Sequence, residues 1–281
     1  MVSFEHSPIP AIPYRPDGPF ARVDVVELAD LRESQRDRPG FWAPQRPRFD
    51  LLIHVERGSL AHMVDFVTLP LGPGSMLWVH AGQVQRWGDL DGVAGTALLF
   101  LPEVLTPAAV DALHASGAWH AQRFPAEAVP PAARDLFALC RRAGGSVSPL
   151  ARERILESLL LSLAGAEPDA DHPARRSLYA RFLRLLDAQG SVHRSVAAFA
   201  RELGCTPKTL TLAVRERTGR TAKQAIDARL ALEAKRILAF RPAMPVHEVG
   251  EVLGFDDAAN FSKFFRRHEG VAPGAWRDAL R

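Results

Sequence analysis

Two short runs of this chain gather side chains suited to hydrogen bonding and to holding anions. Asn260, Ser262, Lys263, Arg266 and Arg267 fall within eight residues and combine a planar amide, a hydroxyl and three cations. Some fifty residues earlier, Thr206, Lys208, Thr209 and Thr211 offer three hydroxyls and an ammonium. Groups of these kinds grip phosphate oxygens and read the edges of bases, provided a rigid element presents them together on one outward face. The surrounding sequence supplies two similar elements of that sort.

Residues 196–204 superpose on residues 246–254. Val196, Phe199, Ala200, Leu203 and Gly204 fall on Val246, Val249, Gly250, Leu253 and Gly254 at an offset of 50. Beyond the turn the offset becomes 51, and Leu210, Val214 and Gly219 fall on Phe261, Phe265 and Gly270. Each copy reads as a short helix with apolar inward positions, a Leu-Gly turn, and a second helix with apolar residues four apart. Such spacing locks the second helix against the first and leaves its outer face free, as in a helix-turn-helix.

The run Arg229-Leu230, Lys235-Arg236-Ile237-Leu238, Val249-Gly250, Leu253-Gly254-Phe255, Asn260-Phe261-Ser262-Lys263-Phe264-Phe265-Arg266-Arg267, Gly270, Pro273 and Trp276-Arg277 closely resembles the signature of the AraC/XylS family. That resemblance covers roughly residues 196–277. It implies helix-turn-helix subdomains at about 196–217 and about 246–268, joined by a long helix over 221–240, whose second helices enter successive major-groove segments of double-stranded DNA. Placed by position, Thr206 is expected to cap the first recognition helix, with Lys208, Thr209 and Thr211 outward. Leu212 departs from the pattern, an apolar side chain suited to a thymine methyl. In the second, Asn260 suits adenine, Ser262 is adaptable, and Lys263, Arg266 and Arg267 suit phosphates. Phe261, Phe264 and Phe265 are expected to be core.

The charge is split to match. Residues 175–281 hold 20 Lys and Arg against 11 Asp and Glu, a net +9, whereas the rest of the chain is at −6. A basic module beside an acidic one is the footprint of a chain that meets a polyanion with one half. At 281 residues two domains are expected: 1–164, a linker at 165–174, and 175–281. No run of about 18 apolar residues is present, so no membrane partner is expected. Residues 1–6 lack the pattern of a secretory signal, and Cys140 and Cys205 are far apart, which points to the cytoplasm and excludes a cysteine zinc site.

Over 20–101 short runs rich in Val, Leu and Phe (49–55, 60–69, 75–80 and 93–101) are broken by Gly72-Pro73-Gly74 and Ala81-Gly82, which predicts a small β-barrel or sandwich. Helices are predicted over 132–142 and 149–164. The run Leu71-Gly72-Pro73-Gly74-Ser75-Met76-Leu77-Trp78-Val79-His80 is similar to the cupin-like sensor domain that precedes many AraC/XylS regulators. The expected fold is thus α+β multidomain: a cupin-like barrel with following helices, then an all-α domain.

Catalytic cupins hold a metal with closely spaced His and Glu, but here Arg46-Pro47-Arg48-Phe49-Asp50 and Gln85 occupy those places, so neither metal, cofactor nor enzyme activity is expected. His54, His62 and His80 read as structural. A small-molecule effector is expected instead, held by Trp78, His80, Gln85 and Trp87, which mix aromatic surface with polar groups. The leucine face of 149–164 fits either its own barrel or a homodimer. The family resemblance implies an activator that contacts RNA polymerase. Three alternatives stand beside it: an effector-independent repressor, a cupin enzyme fused to a DNA-binding tail, or a protein-interaction module.

Overall fold

The computed structural model describes residues 11–14, 22–143, 147–164, 173–189 and 192–280. Residues 1–6, the turn at Gly190 and 165–172 of the expected linker lie outside them, while Pro173 opens a helix. The chain divides into two compact units, 10–168 and 169–281.

The N-terminal unit runs β1 Ala11–Ile12, β2 Val23–Glu27, α1 Leu28–Gln35, α2 Pro39–Trp42, β3 Arg46–Pro47, β4 Asp50–Arg57, β5 Leu60–Val64, β6 Val67–Leu71, β7 Met76–Val79, β8 Gln85–Arg86, β9 Ala94–Phe100, α3 Pro107–Ser116, β10 Arg123–Phe124, α4 Pro131–Ala143 and α5 Pro149–Leu163. An antiparallel sheet of order β10-β7-β4-β9-β2 faces a smaller one of order β6-β5-β8, and β1 pairs with β3. In β4, Leu51, Ile53 and Val55 point into the core between the sheets, and Leu52 into a second core beneath the helices. Burial on both faces explains why 51–55 reads as an apolar run with no clean alternation. Of the two expected forms, sandwich or small cupin-like barrel, the strands take the first: two packed sheets that do not close into a barrel. β8 is two residues long and, among the described residues, is extended by a single bridge from Gln45 to Gln85.

Helix α5 begins at the Ser148 cap, whose hydroxyl accepts from the Ala151 N–H at 3.2 Å. Its Leu156, Leu159, Leu160 and Leu163 are buried in the helix-side core of their own unit, with Phe137 and Cys140 of α4. Burial pushes the Cys140 thiol up to about 11, as expected of an inert core cysteine. His54, His62 and His80 belong to separate surroundings: His54 meets Phe137, His62 meets Trp87 and His80 stacks on Trp119.

The C-terminal unit is helical: α6 Pro173–Gln189, α7 Val196–Glu202, α8 Pro207–Thr218, α9 Ala222–Phe240, α10 Val246–Val252, α11 Ala258–Glu269 and α12 Pro273–Asp278. Its two cores share one helix. Ala222 and Ile226 of α9 belong to the core with α6, α7 and α8, while Leu230, Ala231, Ala234 and Leu238 belong to the core with α10 and α11. A capping box between Thr221 and Gln224 starts α9. Among the described residues no helix is long and apolar enough to cross a membrane.

Candidate nucleic-acid interface

The turn of the internal repeat is reproduced in its backbone hydrogen bonds. Cys205 donates its N–H to Ala200 and Phe255 donates to Gly250, both at 2.9 Å. The turn glycines Gly204 and Gly254 have φ of +68° and +76°, in the left-handed region that glycine enters without a steric penalty. Volumes compensate across each helix pair. Where α7 places Ala200 against Leu210, α10 places Gly250 against the bulkier Phe261, and a Cβ there would lie 3.0 Å from the Phe261 Cβ.

Each second helix starts on a side-chain cap. Thr206 accepts from the Thr209 N–H at 3.1 Å, and its hydroxyl also lies 2.8 Å from that of Thr209. Asp257 accepts from the Asn260 N–H at 2.7 Å, and the Asn260 amide donates to the same carboxylate. That bond uses one of two amide hydrogens, so the second hydrogen and the oxygen stay available for a bidentate contact.

With Leu210, Ala213 and Val214 buried under α8, and Phe261, Phe264 and Phe265 under α11, the opposite faces are open. Lys208, Asn260, Lys263, Arg266 and Arg267 are exposed, and so is Thr206; Thr209, Thr211 and Ser262 are half-buried. Lys208, Lys263 and Arg266 make no ion pair among the described residues. Arg267 differs: its guanidinium lies 3.7 Å from the buried carboxylate of Asp227 on α9, which Lys223 also contacts and His268 approaches at 3.8 Å. Arg267 therefore anchors α11 as well as adding surface charge. Burial lowers the His268 pKa, with Asp227 pulling the other way. Arg215, exposed on α8 at the place equivalent to Arg266, extends the cationic face and is visible in the sequence once the repeat offset is applied to it.

One positioning contact lies outside the repeat. The His193 N–H, just before the first copy, donates to the Leu253 carbonyl in the turn of the second at 2.6 Å, and its ring stacks on Phe255 at 4.8 Å. The two copies are thereby fixed to one another by the strand of chain before α7 as well as by α9. His193, Asn260, Lys263 and Arg267 line one surface hollow.

The four residues expected to hold an effector do not converge. Trp78 and His80 face the helices, where the buried Asp50 carboxylate accepts from Trp78 Nε1 at 2.9 Å and the Ala81 N–H at 2.8 Å and lies 3.1 Å from His80 Nδ1. The other ring nitrogen of His80 is 2.7 Å from the Trp119 carbonyl. Gln85 and Trp87 belong to the opposite side of the large sheet. Gln85 donates to Gln45 at 3.3 Å, and Trp87 stacks on Phe41 at 6.0 Å. Sequence reasoning missed a cleft of about 710 Å³ beside the small sheet, lined among others by Trp87, Trp42, Arg32, Arg36 and Arg86. Of its lining residues, Trp87 is the one the sequence singled out.

Residues 199–279 match a protein-family model described as "Helix-turn-helix domain". The arabinose operon regulatory proteins of Salmonella typhimurium strain LT2 and Escherichia coli strain K12 are each 28% identical to this chain over 157 residues, 54% of its length and 56% and 53% of theirs. The chain thus matches about half the length of these curated relatives. Among solved structures, ToxT from Vibrio cholerae O395 aligns with 92% of this chain and 97% of its own at 9% identity and a TM-score of 0.42. The C-terminal domain of AraT from Geobacillus stearothermophilus aligns with 40% of this chain and 88% of its own at 21% identity and a TM-score of 0.34. Scores this low leave the assignment to the residues and to the family match.

Proposed function

We propose that the C-terminal unit is a DNA-binding domain of the AraC/XylS kind, as its helix-turn-helix match and its similarity to the arabinose operon regulators support, and that the protein is a transcription regulator that binds double-stranded DNA at specific sequences. The observation that carries the reading is the duplicated turn: two helix pairs with the same backbone bonds across the turn and equivalent buried positions, each leaving the polar face of its second helix open. Helix α9, at 19 residues, is roughly 28 Å long, of the order of the ~34 Å turn of a duplex that successive major-groove contacts must span. Thr206, Lys208, Thr209 and Thr211 are proposed for one major-groove segment and Asn260, Ser262, Lys263, Arg266 and Arg267 for the next. Selection of bound duplexes from a random-sequence pool by mobility shift tests this. A single recurring motif is expected, and binding with no sequence preference refutes it.

The N-terminal unit is proposed to bind a small-molecule effector that biases DNA affinity by binding one arrangement of the protein better than another. The cleft beside Trp87 supports this reading better than Trp78 and His80, whose polar atoms are already engaged. Activation through RNA polymerase belongs to the same proposal. So does homodimerisation, for which the surface would lie outside the buried leucine face of α5, at positions such as the exposed Leu150.

A further inference from the structure

The two recognition helices are equivalent in backbone and differ in the chemistry they present. Applying the repeat offset pairs Thr211 with Ser262 and Arg215 with Arg266, so a hydroxyl corresponds to a hydroxyl and a guanidinium to a guanidinium. Between them the correspondence breaks: Leu212 of α8 stands where α11 has Lys263. Leu212 is 39% exposed and lies outside the core beneath α8. It sits on one ridge with Lys208 four residues before and Arg215 three after, both exposed cations. An isolated exposed leucine is ordinary in itself. This one occupies the middle of the face that the proposed function aims at DNA.

Its neighbours narrow what that middle can read. The hydroxyls of Thr206 and Thr209 are tied to one another at the cap, so this part of α8 presents neither amide nor guanidinium ahead of Arg215. The major groove offers a leucine one apolar group, the C5-methyl of thymine. Resting on the DNA-binding reading above, we infer that Leu212 selects a thymine methyl in the segment under α8, while the equivalent Lys263 holds phosphate and Asn260 reads adenine under α11. The bound sequence is therefore asymmetric, and the protein sits on it in one orientation.

The test uses the full chain and the duplex that emerges from random-pool selection. Each thymine is replaced in turn by deoxyuridine, which removes the methyl and nothing else. Losing one buried methyl contact weakens binding about fourfold at a contacted position. The wild type is expected to show that loss at one or more thymines. Leu212→Ala is expected to bind the parent duplex more weakly by a similar factor and to be indifferent to deoxyuridine at those same positions. Leu212 is outside the core, and a thermal melt of Leu212→Ala matching the wild type verifies the fold. Methyl losses that are absent, or equal in both proteins, overturn the inference and leave the DNA-binding reading intact. A pool from which no sequence emerges removes that reading and this inference with it.

Discussion

Replacing Gly204 and Gly254 by alanine, one at a time, separates backbone strain from packing in two turns that are otherwise the same. Both glycines have positive φ, +68° and +76°, and an L-residue held there costs roughly 1–2 kcal/mol. A Cβ on Gly204 meets nothing within 4 Å, so strain is the whole cost. A Cβ on Gly254 lies 2.9 Å from Val192 Cγ1 and 3.4 Å from the His193 nitrogen, in the segment that fastens the two copies together. Overpacking of that kind adds about 1–3 kcal/mol. At about 4–8 °C per kcal/mol for a unit of this size, Gly254→Ala is expected to melt about 5 °C or more below Gly204→Ala in circular dichroism scans followed at the helical signal. Adding Val192→Ala to Gly254→Ala removes the clashing methyl and is expected to close most of the gap. Equal melting of the two glycine variants, or a gap that Val192→Ala leaves untouched, refutes the packing argument.

Affinity for the selected duplex is expected to fall with salt along a log–log slope near −5, for about six phosphate contacts, and Lys263→Ala to flatten it by about 0.9. Titrations between low and moderate salt measure both, and a slope near zero with intact folding removes the electrostatic assignment. The N-terminal unit is expected to be acid-sensitive through His62, whose pKa burial lowers to about 3 while neighbouring Gln85 works against that shift. The unfolded chain takes up a proton near pH 6.5 that the folded unit refuses, so this contribution is complete above pH 6.5 and is lost as pH falls toward 3. The loss is about 1.4 kcal/mol at pH 5.5. Half-buried His54, whose pKa burial also lowers, acts in the same sense. Urea unfolding at pH 8 and pH 5.5, followed by tryptophan fluorescence, is expected to show a smaller pH dependence in His62→Leu than in the wild type. An unchanged dependence would count against burial as its cause.

Most of the C-terminal unit was written in local patterns. The helix pairs and their left-handed glycines depend on contacts a few residues apart, so spacing alone located them, and the caps Ser195, Thr206, Thr221 and Asp257 are equally local. The outward positions followed, because the buried partners at Leu210, Val214, Phe261 and Phe265 fix which face remains. Long-range contacts were not legible. Residues 60–69 read as one strand but form a hairpin, β5 and β6, turned by Asp65 and Phe66 at φ of +48° and +68°. No glycine announces that turn. It is held by bonds from Gln83 and Val84 to the Asp65 carboxylate, across some 18 residues of chain. Helix α1 and the cleft beside Trp87 were missed for the same reason, as was the division of Trp78 and His80 from Gln85 and Trp87. In a strand the side of a residue follows from its parity, yet what covers that side is chosen by distant segments. The local pattern therefore determined the two helix-turn-helix copies and the residues they expose, because a helix fixes its own faces. Tertiary structure alone decided how the sheets pack, whether they close, and which aromatic side chains meet in one place.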